Sequence, residues 1–549
     1  MAKSTKQRST SLPGGSGTTR TEVPRTWSAA CALAACFLFA SLAPQVSGDK
    51  DSSEFALVLA TCGVAHPTGY PIYTLLGHLF VKALHATGAG WPFAANVWSS
   101  VGAAVATYFL QRLALSLSSD ALAGSRAARF LWSLVPAAWL AVNPVWTGEA
   151  SLAEVYSWHV AWALGTAHLF VMTARWLEGA GASGRPGWRA WAWGAACGLG
   201  GAHHATSLFV AGPLSVALAA LAFRRAGAAP ARVAATVAAV LGGALVPLSS
   251  DAFLLWRAGH PAEAHWPMLA PGLAGWWAHV SGSQYWTLVG RFAPSPEQSR
   301  LLASYVWPYL GVSFAASAAA ALLARHSGQR IVRAALLVSA GLVSLYTLRY
   351  GVTDPASYFL LPIALGLAAL PSLAFSFPLR DAGARRLPAI AAACLLALAA
   401  LAGVPWLRVA RDRAATYERF EALVHSMWRA VPAGPSFVFW TNDMYPMLRG
   451  YQLWEGEHPD AEVLHAFNLT SPIVRERFAA RHGFDPAAGW ESAIPAGGTD
   501  VNARYEAVML YIENRVNSQG ARAVLHFDPA VPTVRLLEKA ASADTATAR

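Results

Sequence analysis

Between about residues 27 and 408 the chain returns repeatedly to apolar stretches as long as a bilayer is thick. A helix needs about 20 apolar residues in succession to span the hydrocarbon layer. Such stretches begin near Trp27, Pro92, Ala127, Leu152, Trp188, Thr206, Ala231, Ala303, Arg330, Ser357 and Ala384. A soluble core could not bury them all. Only 13% of the residues are charged, against about 25% in an ordinary soluble protein. The 23 tryptophans suit a chain that crosses membrane–water boundaries, where Trp concentrates. The sequence predicts an α-helical polytopic membrane protein with about 11 transmembrane helices.

The net charge of +11 is no nucleic-acid footprint, because the arginines alternate with the spans. Arg112/Arg126/Arg129, Arg175/Arg185/Arg189, Arg224/Arg225/Arg232, Arg325/Arg330/Arg333 and Arg380/Arg385/Arg386 fall in every second connection, while the connections near 146–150 and 203–206 hold none. Cytoplasmic loops are the Arg-rich ones, so the N-terminus is expected inside. An odd number of spans then puts everything after about residue 409 outside. The expected division is a basic cytoplasmic tail (1–26), a membrane domain (27–408) with outer loops 47–91 and 256–302, and a soluble non-cytoplasmic domain (409–549). In that last part strand-like runs, 437–440 and 523–527, mix with helix-like stretches, 414–430 and 503–516, as in a small α/β domain. The stretch after Trp27 is too long for the apolar region of a signal peptide and is expected to remain as the first helix. The heavy use of Ala, Arg and Trp suits a bacterial inner membrane. Four of the five cysteines lie in apolar stretches, so neither a disulfide framework nor a Cys-based metal site is expected.

Polar residues with chemical potential gather on the outer side. In the first loop, Asp51 and Glu54 are three residues apart and could share one helix face; equally, Ser52 or Asp51 could simply cap that helix. Segments 55–62 and 70–84 are apolar but short, as in helices that lie along a membrane interface. Glu154 and Tyr156 stand where a span begins, as an interfacial anchor or as part of an aqueous cavity. His203 and His204 are neighbours in sequence, a poor arrangement for chelation, and no metal is expected. Asp354 stands in an Asp-Pro turn framed by Tyr350 and Tyr358. The long outer loop adds Arg257, Trp266, His279, Gln284 and Tyr285, a set suited to phosphate and sugar hydroxyls. Polar groups collected on one face fit an enzyme of the outer leaflet. Transporters place them mid-bilayer, in broken helices of doubled architecture.

The run Asp-Ser-Ser-Glu-Phe-Ala-Leu-Val-Leu-Ala (51–60), followed by Gly-Val-Ala-His-Pro-Thr-Gly-Tyr-Pro-Ile-Tyr (63–73), resembles the signature of the protein O-mannosyltransferase-like family. That family includes the transmembrane O-mannosyltransferase of plexin-type receptors and many bacterial members. The likeness continues at Glu154–Tyr156, Gly200–His204, His279–Tyr285 and 350–362, with Ser53 where the family usually has Gly. It implies a GT-C membrane glycosyltransferase that takes a hexose such as mannose from a polyprenyl-phosphate donor, without a metal or other cofactor. The expected acceptor is a Ser/Thr hydroxyl of a secreted protein; a glycan or lipid acceptor, or a polar-lipid flippase without bond chemistry, are the alternatives. By position Asp51 is the implied acidic catalytic residue, the general base of an inverting transfer, with Glu54 second. His66, Tyr70, Glu154, Tyr156, His204, Arg257, His279, Gln284, Tyr285 and Asp354 are the candidate donor- and acceptor-binding residues.

Overall fold

The computed structural model describes residues 23–118, 126–179, 187–226, 230–262, 264–352, 354–374, 387–440, 445–494, 501–519, 522–528 and 533–536. The tail before residue 23 and the loop arginines Arg185, Arg380, Arg385 and Arg386 lie outside them. Each of the eleven apolar stretches contains a helix. Eight helices among the described residues are long and apolar enough to cross a membrane, from Arg25–Leu42 to Pro388–Ala430. The other three stretches fall short for different reasons. Arg126–Ala141 and Gly187–Gly201 have only 16 and 15 residues. Tyr156–Glu178 has 23 but carries Ser157, His159, Thr166, His168, Thr173 and Arg175 among them. The chain is an integral membrane protein of multiple spans.

Helix Trp91–Ser118 organises the end of the helical domain that carries the first loop, through polar residues buried within it. Asn96 donates to the carbonyls of Pro44 (2.9 Å) and Val46 (3.1 Å) and accepts from the Ala153 amide (2.9 Å). Ser99 exchanges two 3.0 Å hydrogen bonds with the Glu154 backbone, and Ser100 donates to the Ala150 carbonyl at 2.9 Å. Buried polar groups need such partners. Here they tie the exit of the first span and the 150–154 connection to one rigid helix.

The two short first-loop segments are helices, Lys50–Thr61 and Pro71–His85. Pro71 at the first helical position suits its fixed φ and missing N–H. The intervening turn is stitched to the long outer loop: Val64 donates to the Ala264 carbonyl at 3.0 Å and Trp266 to the Val64 carbonyl at 2.9 Å. A Cβ on Gly63 would overlap the Ala264 carbonyl oxygen, so backbone approach demands Gly here. Gly63→Ala is expected to lower stability by about 1–3 kcal/mol, as overpacking does. A thermal melt in detergent that matches wild type would show that the two loops can part.

The last apolar helix runs unbroken for 44 residues, Leu387–Ala430. At 1.5 Å per residue it is about 66 Å long, about twice the hydrocarbon thickness. Residue 409 therefore lies inside a continuous helix, and the last span itself carries the chain to the sheet region. There β1 (Ser436–Trp440), β2 (Ala461–Leu464), β3 (Ala523–Asp528) and β4 (Thr533–Leu536) form one sheet in the order β2-β1-β3-β4. β1 pairs in parallel with β2 and β3, and β4 is antiparallel to β3. The two strand-like runs of the sequence are thus direct neighbours. Helices Pro472–His482 and Val501–Gln519 join β2 to β3.

This region is packed against the first loop. Helix Tyr445–Glu455 places Leu453 and Trp454 on the cluster formed by Phe55, Leu59, Tyr70, Tyr73 and Trp98. The Ser47 amide donates to the Tyr451 hydroxyl at 3.3 Å, and Arg477 donates to the carbonyls of Pro267 (3.2 Å) and Leu269 (3.0 Å).

Candidate active site

Asp51 and Glu54 lie on helix Lys50–Thr61, whose N-cap is Asp49. Neither Ser52 nor Asp51 occupies the capping position, and Asp51 sits exposed in the first turn. Asp51, Glu54 and His66 bring one donor atom each within 4.8 Å of the others. The His66 amide donates to Glu54 Oε1 at 2.9 Å, and its ring Nδ1 meets Glu54 Oε2 at 2.5 Å. The ring's other nitrogen lies 3.2 Å from the Tyr70 hydroxyl. Tyr70 itself is held at φ 46°, a left-handed conformation unusual for an aromatic residue.

Burial alone would discharge the His66 imidazole. The charges of Glu54 and Asp51 and the Glu54 hydrogen bond outweigh it and push the ring up to about 9, so it is an imidazolium at neutral pH. A histidine raised in the folded state adds stability fully present below its unfolded value near 6.5. That stability is lost as pH rises through about 9. The contribution is up to about 3 kcal/mol. His66→Gln is therefore expected to lower the melting temperature at pH 6 and to match wild type above pH 9. A gap independent of pH would contradict the charged pair.

Asp51, Glu54 and His66 could also hold a small cation, since carboxylate and imidazole donors suit divalent ions. As arranged, they form an ion pair. A second group with mutually close donors, His425, Glu455 and Glu457, lies between the end of the long helix and the Tyr445–Glu455 segment.

Further residues converge on this pair from four other segments. The Tyr70 ring stands 6.2 Å from His203 and 6.1 Å from His204. Tyr156 lies 6.0 Å from His204 and 5.2 Å from Tyr358. His279 is buried against Gly69, where a Cβ would come within 2.9 Å of its Nε2. The 3₁₀ turn Ser283–Leu288, which carries Tyr285, is tied to the 349–351 segment by the Gly351-to-Leu288 bond at 2.9 Å, and the Tyr350 ring stands 5.7 Å from Tyr358. Burial holds His203, His204 and His279 neutral, down to about 4, 3 and 3. Among the described residues, His203 Nε2 and His279 Nε2 are buried without a hydrogen-bond partner, a costly state for imidazole nitrogens.

A carboxylate cluster borders the basin. Helix Pro144–Ser151 starts at Asn143, whose side chain accepts from the Val145 and Trp146 amides. It carries Glu149, which accepts from the Ser357 hydroxyl at 2.5 Å. Burial first, then mutual repulsion with Asp51 and Asp354, raises Glu149 and Glu154 well above the carboxylate range. Arg413, on the long last helix, faces Glu149 and donates to Ser151 at 2.7 Å. Tyr417, one turn on, donates to Asp49 at 3.2 Å.

Of the residues expected from the sequence, Asp51, Glu54, His66, Tyr70, Glu154, Tyr156, His204, His279, Tyr285 and Asp354 thus fall around one basin. Gln284 is exposed beside Tyr285. Arg257 stacks on Trp256 and Phe253, 4.6 and 5.7 Å from their ring centres, and no contact among the described residues joins it to Asp51 or Glu54. Glu149, Ser357, Arg413 and His159 were not anticipated. His159 had a signal, since an ionisable residue inside a span calls for a function. Arg413 had none.

Residues 51–226, which hold most of these groups, match the family model described as "Protein O-mannosyl-transferase TMEM260 N-terminal domain". The likeness is carried by this segment, residues 51–226 of the chain's 549. No curated protein matches the chain as a relative. Among solved structures it is similar to the archaeal oligosaccharyltransferase AglB from Archaeoglobus fulgidus, in complex with an inhibitory peptide and a dolichol-phosphate. That likeness has 12% identity, covers 91% of this chain and 69% of that one, and has a TM-score of 0.46. It is also similar to ArnT from Cupriavidus metallidurans bound to undecaprenyl phosphate, at 13% identity over 94% of this chain and 96% of that one (TM-score 0.44). With ArnT in the apo state the identity is 13%, over 92% and 93%, at a TM-score of 0.42.

Proposed function

We propose that this chain is a GT-C enzyme that transfers a hexose such as mannose from a polyprenyl-phosphate donor to Ser/Thr hydroxyls of secreted proteins, with inversion. The observation that carries the reading is the position of Asp51. It is an exposed carboxylate beside the Glu54–His66 pair, at the edge of a basin of neutral imidazoles and tyrosines, in a segment matched to an O-mannosyltransferase family. In the proposed step Asp51 takes the proton of the acceptor hydroxyl while its oxygen bonds to the anomeric carbon. The carbon–oxygen bond to phosphate breaks, and the electron pair leaves with the polyprenyl phosphate. That is general-base catalysis through a transition state with oxocarbenium character. Glu54, held by His66, orients the acceptor. Neutral N–H donors, His204 and His279, meet the departing phosphate, with Gln284 and Arg257 nearer the outer rim.

With eleven crossings and a cytoplasmic N-terminus, the basin and the sheet domain face the non-cytoplasmic side, the periplasm in a bacterium. The test is transfer by the purified full chain from polyprenyl-phosphate mannose to a pool of secreted-protein peptides, with the new linkage read by NMR. Product of inverted configuration is expected. Transfer only to glycans or lipids would keep the donor chemistry and change the acceptor. Donor translocated but never cleaved would replace the reading with a flippase.

A further inference from the structure

The polar network behind His204 determines which of its ring nitrogens carries the proton. The Thr206 amide donates to His204 Nδ1 at 3.2 Å, so that nitrogen is an acceptor and bears no hydrogen. The Thr206 hydroxyl also lies 2.8 Å from Nδ1 and must donate to it. Its proton thus committed, the hydroxyl oxygen can only accept from His159 Nε2, 2.9 Å away. His159 is stacked on Trp162, with ring centres 5.4 Å apart and planes 11° apart. Trp162 is itself fixed by donating to the Ala196 carbonyl at 2.7 Å. The opposite nitrogen of His159, Nδ1, is buried with no hydrogen-bond partner among the described residues, which is compatible with this assignment. The neutral His204 ring therefore carries its one hydrogen on Nε2; the ring lies among Tyr70, Tyr156 and Tyr358, with ring centres 6.1, 6.0 and 5.8 Å away.

We infer that Thr206 and His159 are positioning residues that hold His204 as its Nε2–H tautomer, a neutral hydrogen-bond donor for the phosphate that departs from the lipid carrier. The inference rests on the proposed reading that a polyprenyl phosphate leaves in this basin. A donor fixed before reaction needs no reorganisation as charge develops on the leaving oxygen. A neutral donor also avoids holding the product phosphate as an ion pair. The titratable groups around the ring are His203 beside it, His159 on helix Tyr156–Glu178, the three tyrosines, and His66 from the first loop.

The experiment uses the full chain in detergent, with polyprenyl-phosphate mannose and peptide acceptors, and compares T206V, T206S, H204Q and H204A. T206V is expected to lower kcat by about tenfold with donor KM nearly unchanged, and T206S to recover most of it. H204A should lose about 100-fold, and H204Q less, because its amide offers a neutral donor near the Nε2 position. T206V equal to wild type, or H204Q no better than H204A, overturns the inference. A second readout does not depend on transfer. In 15N-histidine spectra at pH 7, with His204 identified by difference from H204Q, Nε2 is expected protonated and Nδ1 bare, with mixed tautomers in T206V. A protonated Nδ1 overturns the tautomer assignment whatever the reaction is. The expected spectra with no transfer by wild type would instead remove the phosphate role together with the proposed reaction.

Discussion

Asp51→Asn is expected to reduce transfer by about 10³-fold or more, while the protein folds and melts as wild type does. A positioned general base contributes about 10²–10⁴ in rate, and Asn has the shape of Asp without its proton affinity. The structural cost is small. Asp51 is exposed in a first helical turn, where a carboxylate contributes about 0.3–1 kcal/mol through the helix dipole. Glu54→Gln should behave differently, because Glu54 accepts both the amide and the ring of His66. Its loss should lower the melting temperature and weaken activity together. The separation of the two effects is the diagnostic. Full activity of Asp51→Asn with its normal lipid-linked donor would remove Asp51 as the base and leave Glu54 as the remaining first-loop carboxylate. The measurement is the initial rate with polyprenyl-phosphate mannose, beside a melt of each variant.

The first loop was legible in the sequence because its information is local. A spacing of three between Asp51 and Glu54 puts both on one helical face, and the turn between Thr61 and His66 brings His66 back onto that face. The eleven apolar stretches were legible for the same reason, since periodicity and length act within a single helix. The runs that became β1 and β3 were visible too, though not that they would pair. What could not be read were contacts between distant parts of the chain. Glu149 and Ser357 are 208 positions apart, and Arg413 and Ser151 are 262 apart. No local pattern encodes either. The setting of Arg257 was not legible for a related reason. Its sequence environment suits phosphate, but Trp256 and Phe253 offer its guanidinium two ring faces close by, and stacking decides where it rests. The domain boundary at 409 followed from where apolar residues end, whereas helix propensity carries the same helix on to Ala430.

Removing the chain after Ala430 is expected to abolish transfer, although every apolar stretch of spanning length would remain. The sheet region is part of the support of the first loop. Trp454 packs at once on the first-loop cluster and on the soluble region's own core, with Trp428 and Val438. Tyr451 accepts the Ser47 amide at the exit of the first span. Arg477 binds the two carbonyls that follow His265 and Trp266, where the long outer loop meets the first. Without these contacts Phe55 and Tyr73 lose part of their cover, and a helix of 12 residues is marginal in water on its own. Catalysis is sensitive to such loosening, because a displacement of about 1 Å can cost about 100-fold. A smaller lesion separates support from gross misfolding. Trp454→Ala, at a half-buried position, should cost about 2–3 kcal/mol and reduce kcat more than donor KM. A truncated protein that transfers at the wild-type rate would mean the soluble region serves some other purpose, such as acceptor capture, and that the first loop holds its shape from the membrane helices alone.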